Sequence, residues 1–235
     1  MITIIIPTYN EQATIGLLID RIRTNLRKEK QEIIVVDDGS RDGTQEIVKA
    51  RKVKLIQNPV RTYGDVSQAL PLVQGGIIVK MDADLENDPA DLRRLITPLQ
   101  QGKADLVLGR RPRFSRKIEP LLAWWYDPPV KDLFTGYLAF SRKLLPYAQK
   151  LAPTPLYWEL PLLALALHFR VKEVDVAFPR RQGRSRLGGE IKGGIYSYRL
   201  FLKAVQKVEA LTGKPVFPLP RSRHHYTFTG PDSPR

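Results

Sequence analysis

Cysteine is missing from the 235 residues, which excludes disulfides and thiolate metal sites and leaves the redox compartment unreadable. Histidine is scarce too: His168, His224 and His225 include no pair at helical metal-ligand spacing, so no zinc centre is expected. The longest apolar run, 160–167, is far short of the ~20 residues that cross a bilayer. Met1 leads directly into a strand pattern, so no signal peptide is expected and a cytoplasmic protein is. The turn after the first apolar run reads PTYNEQ and contains no glycine, which argues against a G-x-G-x-x-G dinucleotide site. The Walker lysine motif is absent as well.

Negative charge is the minority sign. The formal balance of +14 points to an anionic partner but does not choose among nucleic acid, lipid head group and phosphorylated substrate. Its distribution narrows the question. Lys103, Arg110, Arg111, Arg113, Arg116 and Lys117 meet only Asp105 within 102–118, and Arg180, Arg181, Arg184, Arg186 and Lys192 meet only Glu190 within 180–192. Both segments read as loops. Tryptophan and tyrosine follow the first basic run (Trp124, Trp125, Tyr126), a pairing that suits a membrane–water interface or simple packing under a loop.

The length suits one large domain able to bury a full core. Residues 2–6, 33–36, 53–56, 76–81 and 104–109 read as buried strands, and helical patterns at 12–27, 44–49, 64–74 and 89–100 separate them. Such alternation is the sequence form of a doubly wound, mostly parallel α/β sheet flanked by helices. Beyond 109 the spacing predicts an irregular basic stretch over 110–131. A strand at 132–140, a helix at 156–168, a strand at 170–178 and a helix at 190–211 follow. We expect one catalytic domain over 1–212, with a nucleotide-binding half (1–109) and an acceptor-binding half (110–212). A basic, proline-rich tail over 213–235 should be poorly ordered.

In sheets of this kind ligands sit beyond the carboxyl ends of the strands. Three of those ends carry polar chemistry: 7–11, 37–40 and 82–86. In the last, Asp82 and Asp84 alternate with Ala83 and Leu85, so in an extended segment both carboxylates share a side. Hard divalent cations take oxygen ligands, and Mg²⁺ commonly uses one or two carboxylates plus substrate phosphates. An EF-hand is set aside because Asn87 and Arg93 occupy its glycine and glutamate positions. The alternative is a polar loop whose carboxylates cap a helix starting at Pro89.

Seven motifs in chain order resemble the inverting glycosyltransferases of the GT-A fold, most closely the dolichyl-phosphate mannose synthase (polyprenyl-phosphate glycosyltransferase) branch. They are PTYNE (7–11), VVDDGSRDGT (35–44), MDADLENDP (81–89), LVLGRR (106–111), DLFTGYLAF (132–140), EVDVAF (173–178) and RRQGRSRL (180–187). The chain departs from the family where a glycine-rich stretch gives way to 58–64, with Arg61 in a lysine's place, and where Thr135-Gly136-Tyr137 replaces Ser-Gly-Phe.

The resemblance implies a Rossmann-like fold and roles for matching residues. Pro7, Tyr9, Glu11, Val36 and Asp38 fall around the nucleotide base and ribose, with Asp82 and Ala83 also at the nucleotide. Asp82, Asp84 and Glu86 match the acidic motif that holds Mg²⁺ or Mn²⁺ against the donor diphosphate. Arg111, Arg180 and Arg186 match catalytic basic positions, with Arg180, Ser185 and Arg186 at the acceptor phosphate and Asp132 close to the reacting sugar. The implied activity is metal-dependent inverting transfer of a hexose, mannose from GDP-mannose foremost, to dolichyl or polyprenyl phosphate, with contact at the membrane surface. The alternatives are another nucleotide sugar of the UDP-glucose type, a soluble acceptor and, remotely, a basic nucleic-acid-binding protein.

Overall fold

The computed structural model describes residues 1–58, 62, 64–113, 118–126, 128–156, 158–179 and 190–216. Its strands are β1 (Ile2–Thr8), β2 (Gln31–Asp37), β3 (Lys54–Gln57), β4 (Ile77–Lys80), β5 (Leu106–Arg110), β6 (Leu138–Ser141) and β7 (Val171–Asp175). The helices are α1 (Ile15–Asn25), α2 (Thr44–Ala50), α3 (Leu92–Gln100), α4 (Ile118–Tyr126), α5 (Leu145–Lys150), α6 (Glu159–Ala166) and α7 (Glu190–Thr212). The strands form one sheet in the order β3-β2-β1-β4-β6-β5-β7. Only β6 runs antiparallel, against both β4 and β5.

The continuous apolar runs of β1 and β2 follow from cover on both faces of the sheet. Ile4 and Ile6 pack with Leu18 and Ile22 of α1 and Leu95 and Leu99 of α3. Ile5, Val36 and Ile78 face the opposite layer, where Leu133, Phe134, Leu163 of α6 and Phe201 of α7 sit. The parallel register sets Thr8 of β1 beside Asp37 of β2, so the polar turns that follow these strands emerge together. That end of the sheet carries the chemistry.

Several sequence expectations are corrected. The helix expected over 64–74 is a single 3-10 turn, Leu70–Leu72. Pro71 lacks the N–H that a helix would need, and the segment is pinned instead by tertiary bonds. Val66 N donates to Thr154 O at 3.0 Å, and Thr154 N donates to Asp65 Oδ1 at 2.8 Å. The strand expected over 132–140 shrinks to Leu138–Ser141, and residues 132–137 form a loop. The stretch expected to be irregular at 110–131 contains α4, and α5 was not anticipated. Asp88, not Asp82 or Asp84, caps the turn at Pro89, accepting from Ala90 N at 3.0 Å. The tail from 217 onward lies outside the described residues. No helix among the described residues is long and apolar enough to cross a membrane.

Candidate active site

The loops after β1 and β2 are laced together. Asn10 N donates to Ser40 Oγ (2.8 Å), Glu11 N to Thr44 Oγ1 (2.8 Å), and Gly43 N to Gln12 Oε1 (2.8 Å). Asp37 holds the turn after β2, accepting from Ser40 N at 2.9 Å and Gln45 Nε2 at 2.7 Å. Gly39 makes that turn at φ +83°, a conformation that suits glycine.

Asp38 looks the other way. Its Oδ1 accepts from Asn58 Nδ2 (2.7 Å) and Thr62 Oγ1 (2.6 Å), and its Oδ2 accepts from Gly64 N (2.9 Å). The residue expected beside a nucleotide therefore ties down the segment after β3. Tyr9 is half-buried at the end of β1, and Glu11 is buried, its Oε2 accepting from Thr14 Oγ1 at 3.1 Å. Pro7, Val36 and Ala83 are buried, with Val36 and Ala83 in the core clusters, so none presents an open side chain. They support the site from below.

After β4 the chain turns at once, so Asp82 and Asp84 are not ordered by strand alternation as the extended reading supposed. Leu85 takes φ +64° with its side chain buried, and Glu86 N donates to Asp84 Oδ1 at 3.1 Å. Asp82 N donates to Asn87 Oδ1 at 2.8 Å. Asp84 is buried and Glu86 half-buried. Among the described residues no three histidine, aspartate or glutamate side chains gather as a metal site. The donor set still fits a hard divalent cation, because Mg²⁺ needs only one or two carboxylates when substrate phosphates complete its shell.

Two strands across, roughly 10 Å at the usual spacing, β5 delivers Arg111 to Asp132. Nε donates to Oδ2 and Nη2 to Oδ1, each at 2.7 Å, while Arg111 N donates to Oδ2 at 3.0 Å. Glu119 of α4 accepts from the same guanidinium at 3.1 Å. All three side chains are buried. Burial works to lower the Arg111 pKa, but hydrogen bonding and the charges of Asp132 and then Glu119 outweigh it, and the net shift is upward. Glu173 of β7 fixes the loop from beneath, accepting from Lys131 N (2.9 Å) and Asp132 N (2.7 Å).

A cavity of about 450 Å³ opens here, lined by Arg110, Arg111, Pro112, Arg113, Lys131, Asp132 and Asp175. The guanidinium carbons of Arg111 and Arg113 each lie 5.6 Å from the Phe178 ring centre. A second cavity, about 270 Å³, is lined by Arg23, Glu32, Lys52 and Lys54 at the other end of β2. The reactive strand ends do not reach it.

The structure thus joins Arg111 to Asp132 and keeps the acidic loop on β4. Arg180, Ser185 and Arg186 lie outside the described residues, as does Arg61. Glu119, Glu173 and Lys131 were missed. Glu173 stood within the EVDVAF motif, whereas Glu119 lay in a stretch read as loop, where only helical spacing could have flagged it.

Residues 3–152 match the family described as Glycosyl transferase family 2. An uncharacterised glycosyltransferase of Mycobacterium tuberculosis is 29% identical over 87% of this chain and 97% of its own length. An undecaprenyl-phosphate 4-deoxy-4-formamido-L-arabinose transferase of Aeromonas hydrophila is 30% identical over 80% of this chain. A dolichol-phosphate mannosyltransferase of Pyrococcus furiosus is 28% identical over 88% of it. This chain spans only 63% and 64% of the lengths of those last two. Among solved structures, glucosyl-3-phosphoglycerate synthase of Mycobacterium tuberculosis, in complex with Mn²⁺, UDP-glucose and phosphoglyceric acid, superposes with a TM-score of 0.68. The match has 22% identity and covers 92% of this chain and 80% of that one. The shared fold is the mostly parallel GT-A sheet with flanking helices.

Proposed function

The chain belongs to glycosyl transferase family 2 and is a glycosyltransferase; from that premise we propose that it moves a hexose, mannose foremost, from a nucleotide sugar to a polyprenyl phosphate. The observation that carries the acceptor half of this reading is the cation-lined cavity beside the Arg111–Asp132 pair. Arg113 and Lys131 are exposed on its wall, suited to meet a phosphate. The relatives named for undecaprenyl- and dolichol-phosphate transfer support a lipid acceptor.

The donor nucleotide rests against the laced turns after β1 and β2, over Pro7, Tyr9, Glu11, Val36 and Asp38, with Asp82 and Ala83 at its edge. The carboxylates of the 82–86 loop, Asp84 foremost, would hold Mg²⁺ or Mn²⁺. When bound, such a cation offsets the negative charge that grows on the departing diphosphate. The remaining chemistry belongs to the chain. An oxygen of the acceptor phosphate forms the new bond to the anomeric carbon as the bond to the diphosphate breaks, its electron pair leaving with the diphosphate. In-line displacement inverts that carbon.

A phosphate monoester has a second pKa of about 6, so its oxygen reacts without losing a proton to the protein. Asp132 accordingly orients groups, and Arg111 holds Asp132 in place. Arg180, Ser185 and Arg186 are proposed at the acceptor phosphate, with Arg180 and Arg186 sharing the catalytic charge with Arg111. Leu121 (53% exposed) and Trp124 (69% exposed) on α4 follow the basic run and offer an apolar face to a lipid surface.

The test is a matrix of GDP-mannose and UDP-glucose against polyprenyl phosphate, polyprenol and 3-phosphoglycerate, with Mn²⁺ present and products scored by mass. Sugar on polyprenyl phosphate and not on polyprenol supports the reading. Transfer only to 3-phosphoglycerate would replace it with the soluble-acceptor alternative, for which the glucosyl-3-phosphoglycerate synthase likeness is the one support.

A further inference from the structure

The second cavity, about 270 Å³, opens at the amino ends of β2 and β3, bounded by Arg23, Gln31, Glu32, Lys52 and Lys54. Arg23 stands in the last turn of α1, and its Nη2 donates to Arg51 O at 2.7 Å. That bond uses one of five guanidinium N–H groups. Arg23, Lys52 and Lys54 are exposed, and none of the three forms an ion pair among the described residues. Carboxylates of the flanking segments are engaged elsewhere. Asp20 pairs with Arg51 at 3.0 Å, Glu29 lies 3.9 Å from Arg93, and Glu32 accepts from Thr3 Oγ1 and from Gln74 N at 2.8 Å.

Gln31 completes the wall. Its Oε1 is buried with no hydrogen-bond partner among the described residues, and Nε2 reaches only Arg23 O, at 3.5 Å. An amide held this loosely can turn its N–H groups toward an acceptor. Complementing the helix dipole at the end of α1 accounts for Arg23 alone. It gives no reason for Lys52 and Lys54 to share a cavity with it, since gathered like charges repel.

We propose that this cavity is an anion site that takes a small phosphate monoester, apart from the donor and acceptor sites. The arginine fork matches phosphate oxygens, and the lysines supply point charges. Three cations suit a dianion, the state of a phosphate monoester above its second pKa of about 6. The volume falls just below the roughly 300–1,000 Å³ of common ligand clefts, so the occupant is small. The seven residues of β2 separate Gln31 at this cavity from Asp37 at the turn beside the proposed donor, roughly 20 Å at the usual rise. Its ligand therefore does not compete with the nucleotide.

The test is amide hydrogen exchange of the full chain, titrated with inorganic phosphate or glycerol 3-phosphate at low salt. Either ligand should slow exchange over 31–33 and 52–54 in wild type, and saturating GDP with Mn²⁺ should leave that protection in place. Arg23→Gln/Lys52→Gln/Lys54→Gln should weaken the affinity so read by at least about tenfold, the least that a lost charge-assisted hydrogen bond contributes. Lys52→Gln/Lys54→Gln, which spares the Arg23 bond to Arg51, should show a smaller loss and serves if the triple variant does not fold. Arg21→Gln/Arg27→Gln/Lys28→Gln removes the same charge from exposed positions outside the cavity and should stay within about threefold of wild type.

Equal losses in the two triple variants would reduce the effect to a diffuse field and overturn the site. Protection abolished by GDP would overturn its separation from the donor. Vesicles containing phosphatidic acid offer the same group on a lipid. Protection by these alone would assign the cavity to a lipid head group, and protection by both to the phosphate monoester wherever it is carried. Protection by neither would overturn the proposal.

Discussion

Arg111 and Asp132 form a two-pronged ion pair, Nε to Oδ2 and Nη2 to Oδ1 at 2.7 Å each, with both side chains buried. The fork geometry is specific to arginine. Arg111→Lys should therefore keep the charge but lose the orientation of Asp132. We expect kcat to fall by about 100-fold, comparable to losing one preorganised electrostatic contact, with donor KM little changed. Asp132→Ala removes the two-pronged partner of a buried guanidinium and should cost about 3–5 kcal/mol in denaturant unfolding. Asp132→Asn should cost less, because the amide still accepts a hydrogen bond.

Asp38 predicts a different signature. It accepts three hydrogen bonds, from Asn58, Thr62 and Gly64, and so moors the segment that follows β3. Asp38→Ala should release that segment, with a loss of about 2–4 kcal/mol for charge-assisted bonds of this kind. Donor KM should rise more than kcat falls. A variant with wild-type donor KM would remove Asp38 and its loop from the nucleotide site.

Much of this arrangement could be read in the sequence, and the reasons are local. Isoleucine and valine runs in β1 and β2 are what a sheet covered on both faces demands, so these strands were legible. The β6 pairing was not, because four residues, Leu138–Ser141, carry no signal for the direction of their partners. Lys80 interrupted an apolar run and was a visible anomaly, yet its partner two residues on gave it meaning only once the turn was seen. Glu119 and Asp132 are 13 positions apart in sequence, and only the path of α4 brings them to one guanidinium.

Glu159 sets a pH dependence. Burial raises its pKa above the usual carboxylate value despite opposing backbone hydrogen bonds and the charge of Lys207, and Oε2 has no hydrogen-bond partner among the described residues. A raised folded pKa means that the native state holds the proton longer than the unfolded chain. Stability is then fully present below the unfolded pKa of about 4.5 and is lost as pH rises through the folded value. Glu159→Gln should flatten that decline and make the protein more stable than wild type above it. Thermal melts from pH 4 to 8 that run parallel for the two proteins would contradict this.

Trp124 and Leu121, exposed on α4, should matter most where lipid is present. Trp124→Ala should reduce sedimentation with anionic vesicles while leaving the melting temperature within about 2 °C, since surface changes seldom exceed ±0.5 kcal/mol. Equal vesicle binding by variant and wild type would remove α4 from the lipid-facing surface.

The acidic loop after β4 is best tested by sugar transfer to polyprenyl phosphate, measured in chelator and again with Mn²⁺ restored, for wild type and Asp84→Ala. The predicted result is wild-type transfer that disappears with chelator and returns with Mn²⁺, and a variant that in either condition is at least about 1,000-fold slower than wild type with Mn²⁺ restored. Undiminished transfer by Asp84→Ala in chelator would contradict a cation-assisted departure of the nucleoside diphosphate.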